Sequence, residues 1–159
     1  MSVDIRLLGR DDASVLNRRA EGVFDKPISP ELAAEFLGDS RHHIVVGIED
    51  GIVVGMATGV HYVHPDKPAQ LFINEVGVSS SHRRQGIGRK MVERLVRHAA
   101  ELGCTEAWVL TDRGNAAATR LYESAGAKAP PDDCVMYTFR IAGDGRQGTD
   151  DGRRHPSSS

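Results

Sequence analysis

Two cysteines, Cys104 and Cys134, are too few among 159 residues for a disulfide framework, and no Cys or His pair has zinc-finger spacing. A reducing compartment is expected. Aromatic residues make up only 5% of the chain, which leaves few platforms for stacking nucleic-acid bases. No apolar run approaches the roughly 18 residues of a membrane span. The opening Met1-Ser2-Val3-Asp4-Ile5-Arg6 carries charge where a signal peptide needs an apolar core. Together these absences predict a cytoplasmic protein without membrane contact. An excess of one charge is missing too: 20 Lys plus Arg against 22 Asp plus Glu leaves −2, which gives no global case for a nucleic-acid partner. With 40% hydrophobic residues the chain can build one core without a metal or disulfide staple.

What is present reads as one α/β domain over 1–142, followed by a tail over 143–159 that has too little apolar surface to order and is expected to be disordered. Alternation predicts a strand over 3–8. Asp11, Asp12 and Ser14 precede a loosely helical run through Val23, and Ser29-Pro30 opens a second helix ending near Gly38. Strands over 43–48 and 52–62 flank Asp50-Gly51, a hairpin signal. A third strand follows over 70–78. Met91, Val92, Leu95, Val96, Ala99 and Ala100 then recur at helical spacing, with Gly103 placed to end the helix. A short strand over 107–111, a helix capped by Asn115 and closed by Gly126, and a last strand over 134–141 complete the order β-α-α-β-β-β-α-β-α-β.

Chemistry concentrates in Asn74-Glu75-Val76-Gly77-Val78 and the following His82-Arg83-Arg84-Gln85-Gly86-Ile87-Gly88-Arg89. A strand, a polar loop and a glycine-spaced helix start expose backbone N–H groups where the helix dipole favours an anion. Gly86 and Gly88 let a phosphate approach the backbone, and Arg83, Arg84 and Arg89 add charge. The Walker pattern fails because Arg89, Lys90 and Met91 follow Gly88; the dinucleotide fingerprint fails because Met91 stands where its third glycine belongs. Between His82 and Arg97, six Arg or Lys face one Glu, a local +5 that leaves −7 for the rest of the chain. One region thus suits a polyanion, and the remainder suits cations.

The pattern Arg83-x-x-Gly86-x-Gly88, between an apolar strand and an amphipathic helix, resembles the GNAT superfamily of acetyl-CoA-dependent N-acetyltransferases. Asn115 to Gly126 looks like that family's second signature, and the resemblance covers about residues 3 to 141. It implies the GNAT fold, a mixed and mostly antiparallel sheet with helices on both faces. It also implies acetyl-CoA as co-substrate, direct attack by an amine in a ternary complex, and no metal. On this resemblance the Arg83 to Arg89 segment binds the coenzyme diphosphate. The N–H of Val76 polarises the thioester carbonyl, Val78 pairs with the pantetheine arm, Asn115 bonds the cofactor, and Tyr122 protonates the leaving thiolate. Glu75 is the candidate general base. Relatives often carry their acid where this chain has Phe72.

The segments around His64 to Val78, His82 to Gly88, Gly103 to Asp112 and Pro131 to Met136 look like aminoglycoside 3-N-acetyltransferases of the gentamicin-resistance type. That resemblance implies a cationic drug as acceptor, antibiotic resistance as the role, and Glu75, Asp132 and Asp133 as acceptor-site residues; Asn74 beside Glu75, and Asp112 at the end of a strand, are further candidates for the acceptor site. It also points to a homodimer, since GNAT relatives often pair. Acetylation of a polyamine or a protein N-terminal amine, and a non-catalytic CoA-binding sensor, are the alternative readings.

Overall fold

The computed structural model describes residues 2–142; the tail expected over 143–159 lies outside them. Four strands, β1 (Asp4–Leu7), β2 (His42–Glu49), β3 (Ile52–Tyr62) and β4 (Gln70–Val78), run antiparallel in sequence order, and β5 (Glu106–Val109) joins β4 in parallel. Helix α1 (Pro30–Gly38) packs on one face of this mixed sheet, and α2 (Ile87–Glu101) and α3 (Ala116–Ser124) pack on the other. This is the expected fold class.

Local chemistry explains most of the elements. Asp50 and Gly51 both adopt positive φ, 51° and 75°, which matches the twist of the β2–β3 hairpin they join. Helix α2 buries Met91, Val92, Leu95 and Ala99 against Val45, Val54, Ala57 and Leu71, then ends before Gly103 at φ 86°. The second core, under α1, is built from Leu37, Ile44, Val46, Val53 and Met56.

One irregularity decides where the chemistry points. Along β3 and β4 the register passes from Gly59↔Ile73 to Thr58↔Glu75, so Asn74 is an extra residue bulging from β4. Leu71 and Ile73 before the bulge, and Val76 and Val78 after it, all reach the α2 core. The bulge therefore places both Phe72 and Glu75 on the opposite face, since a one-residue slip inverts every later side chain.

Two expectations are corrected. The helix expected through Val23 is only a short 3-10 turn, Ala13–Asn17. Beyond it the backbone pairs with β3 instead, Val53 N–H donating to the Arg18 carbonyl and Ala20 N–H to the Val53 carbonyl, both at 2.8 Å. The last strand over 134–141 is absent as well. A strand needs a ladder partner, and among the described residues none pairs with this segment. Val135, Tyr137, Phe139 and Ile141 stay exposed at 74% to 91%.

Candidate active site

Helix α2 begins without a side-chain cap, whereas Ser29 Oγ accepts from Leu32 N–H at α1 and Asn115 Oδ1 accepts from Ala118 N–H at α3. Its N-cap is Gly86, at φ 76°, and Arg84 before it also has positive φ, 62°. Lys90 N–H donates to the Gly86 carbonyl at 3.1 Å, so the N–H groups of Ile87, Gly88 and Arg89 precede the helical ladder. Ile87 buries its side chain, while Arg83, Arg84, Gln85 and Arg89 are exposed around this turn. A Cβ at Gly88 would overlap Leu121 Cδ1, so this glycine is needed for α2 to approach α3 closely. A Cβ at Gly86 would meet nothing within 4 Å, and its glycine serves the left-handed backbone.

The loop leading to this turn is clamped by residues that motif reading passed over. Ser79 Oγ lies 2.7 Å from His82 Nδ1, and His82 Nε2 lies 2.5 Å from Glu49 Oε2 at the end of β2. Imidazole thus ties the loop to the β2–β3 hairpin. The only sequence trace of this was a histidine beside the arginine pair.

Parallel pairing of β4 with β5 runs from Gln70↔Glu106 to Ile73↔Val109 and stops there. From Asn74 to Val78, β4 has no β5 neighbour, so among the described residues no strand pairs with its backbone edge on that side. Glu75 sits in this stretch, half-buried. Burial raises its pKa above the ordinary carboxylate value, and the charge of Asp25 raises it further. Thr58, directly opposite on β3, is 8% exposed, and its Oγ1 has no hydrogen-bond partner. Asp25 was not anticipated from sequence. It follows Val23, whose carbonyl lies against Gly77 of β4, and no periodicity reveals that crossing.

Val76 and Val78 bury their side chains in the α2 core, leaving only their backbone for a ligand. Tyr122 is 6% exposed and packs in that same core. Asp112, Asp132 and Asp133 are exposed, and Asp133 pairs with Arg113; the carboxylate felt by Glu75 is Asp25. The basic cluster divides: Arg83 and Arg84 flank the α2 turn with Arg89, which pairs with Glu93 at 2.7 Å, while Lys90, Glu93, Arg94 and Arg97 line a groove with Ile5 of β1. No helix among the described residues is long and apolar enough to cross a membrane.

An uncapped helix turn beside an open strand edge is the arrangement that a coenzyme A diphosphate and its extended arm would fit. The family model described as Acetyltransferase (GNAT) family matches residues 13–127. The chain belongs to the GNAT acetyltransferase family. Acetyl-CoA is the acetyl donor of this family. A mycothiol acetyltransferase of Kocuria rhizophila is 37% identical over 84 residues, which are 50% of this chain and 27% of that protein. The chain therefore spans about a quarter of that relative. A thialysine N-epsilon-acetyltransferase of Bos taurus is 26% identical over 131 residues, 79% of this chain and 71% of the relative. Among solved structures, an aminoglycoside acetyltransferase from an uncultured soil metagenomic sample, in complex with sisomicin, superimposes with TM-score 0.76. It is 19% identical and covers 88% of this chain and 97% of its own, a likeness of fold.

Proposed function

We propose that this GNAT protein transfers acetyl from acetyl-CoA to an amine of a cationic aminoglycoside. The observation that carries the reading is the juxtaposition of an uncapped α2 terminus with an open β4 edge bearing a carboxylate of raised pKa. The N–H groups of Ile87, Gly88 and Arg89, with Arg83 and Arg84, would hold the diphosphate. Acetyl-CoA supplies the activated acyl group as a thioester.

Every other part falls to the chain. The Val76 N–H is assigned to the thioester carbonyl, where a fixed dipole meets the developing oxyanion. Glu75, with its raised pKa, accepts the proton of the attacking amine and so keeps it nucleophilic near neutral pH. Tyr122 is assigned to the departing thiolate; its burial beside Ala118 of α3 fixes where the phenol sits. Glu75 and Asp25 give the acceptor side two carboxylates, which suits a polycation. The sisomicin-bound fold relative is consistent with a drug of that class, and regiochemistry at the 3-amino group rests on the sequence resemblance.

The test is a free-thiol assay with acetyl-CoA and gentamicin, kanamycin, thialysine, spermidine and a peptide. Thiol release with gentamicin is expected; release with thialysine or peptide and none with the drugs would overturn the drug assignment. Acetylation of a small amino-acid amine is the second reading, favoured by the bovine relative, which this chain spans over 71%.

A further inference from the structure

On the Glu75 face, beyond the bulge, lies a ring cluster that the reaction scheme does not use. Phe72 and Trp108 are register partners across β4 and β5, and their rings pack with centroids 4.4 Å apart at 30°. The indole N–H of Trp108 donates to Tyr62 Oη at 2.6 Å, and Tyr62 Oη donates to Gln70 Oε1 at 3.1 Å. Ala107 and Val109 on either side of Trp108 pack into the α2 core, which turns the indole to the opposite face, where Phe72 and Glu75 also lie. The indole is thus held by a hydrogen bond at its edge, yet Trp108 remains 37% exposed. A large ring whose polar edge is already satisfied has only its π surface left to offer.

We infer that Trp108 and Phe72 form a subsite for a second, ammonium-bearing ring of the acceptor while its reacting amine sits at Glu75. The inference rests on the acceptor site proposed above. Aromatic faces attract cations and the flat sides of rings. Three residues of strand place Phe72 about 10 Å from Glu75, a span that a short monoamine cannot bridge. Charge agrees, because Glu75 and Asp25 place two carboxyl groups close to one another at the reacting end, which suits a cationic acceptor.

Trp108 is the single tryptophan of the chain, so its emission reports the subsite directly. Titration of the full-length protein with gentamicin should change that emission saturably, while methylamine at matched ionic strength should not. Trp108→Ala and Phe72→Ala should raise the gentamicin KM roughly tenfold with kcat and the acetyl-CoA KM little changed, and Trp108→Phe should recover most of the loss. Retention of the wild-type acetyl-CoA KM shows that the variants fold. Gentamicin turnover without an emission change, or with an unchanged KM in both alanine variants, overturns the subsite. An emission change without turnover keeps the subsite and overturns the drug acetylation instead.

Discussion

A Cβ added at Gly77 would lie 2.6 Å from the carbonyl oxygen of Val23. The obstacle is backbone, so no rotamer change relieves it, and the segment leading to Asp25 would have to lift from β4. Gly77→Ala should therefore destabilise the protein by about 2 kcal/mol in urea unfolding, at the cost typical of overpacking. The same displacement would withdraw Asp25 from Glu75, so the acid limb of the pH–rate profile should move to lower pH.

Asp25→Asn isolates the electrostatic part of that effect. Burial is the larger cause of the raised Glu75 pKa and Asp25 the smaller. Removing the negative neighbour should lower the Glu75 pKa without abolishing its elevation. Activity, which needs Glu75 deprotonated, should then persist to lower pH in the variant, as read from kcat/KM against pH.

Glu75→Gln should lower kcat by roughly a hundredfold or more, in the range expected for a lost general base. Because the native environment disfavours the ionised carboxylate, the neutral amide should leave the Tm near pH 7 unchanged or higher. A large fall in Tm would instead trace the loss of activity to the fold.

His43 should make the protein sensitive to mild acid. Burial, then the charges of His98, His61 and His42, lower its pKa to about 4, while Asp39 opposes the shift. Its Nε2 lies 2.7 Å from His61 Nδ1, and its Nδ1 lies 3.1 Å from His98 Nε2, while His98 Nδ1 faces Glu101. The folded state therefore holds fewer protons at this site than the unfolded chain, whose histidines titrate near 6.5. Stability contributed by neutral His43 is complete above that value and is lost as pH falls towards 4, by about 1 kcal/mol per pH unit. In His43→Leu this slope should shrink between pH 6.5 and 4, measured by denaturant unfolding.

His82→Ala should loosen the loop before α2 by removing its links to Ser79 and Glu49. The acetyl-CoA KM should rise roughly fivefold while kcat changes less, because a preorganised turn lowers the ordering cost of binding. Glu49→Gln, which keeps a hydrogen-bonding oxygen, should show a smaller rise.

Elements governed by neighbouring residues were legible in sequence: the Asp50-Gly51 hairpin, the Ser29 cap, Gly103 after α2, and the uncapped turn at Gly86. Features that depend on distant backbone were not. Val15, Leu16, Ala20 and Val23 look loosely helical by spacing until Val53 supplies a strand with which Arg18 and Ala20 pair. Asp25 reaches Glu75 only because Val23 crosses Gly77, and the Asn74 bulge that aims Glu75 is visible only in the β3–β4 register. The alternation over 134–141 is a genuine strand pattern, but a pattern cannot provide its own ladder partner. Gly88 illustrates the middle case: sequence marked the position for a phosphate, and the structure shows it also admitting Leu121 between α2 and α3.

The most direct measurement is a titration of the 15N-labelled protein with coenzyme A, followed through its backbone amides. The largest saturable shifts should fall on Ile87, Gly88 and Arg89, with smaller ones from Asn74 to Val78. Shifts confined to the Lys90, Arg94 and Arg97 groove, or none at all, would contradict the assignment of the α2 turn as the diphosphate site.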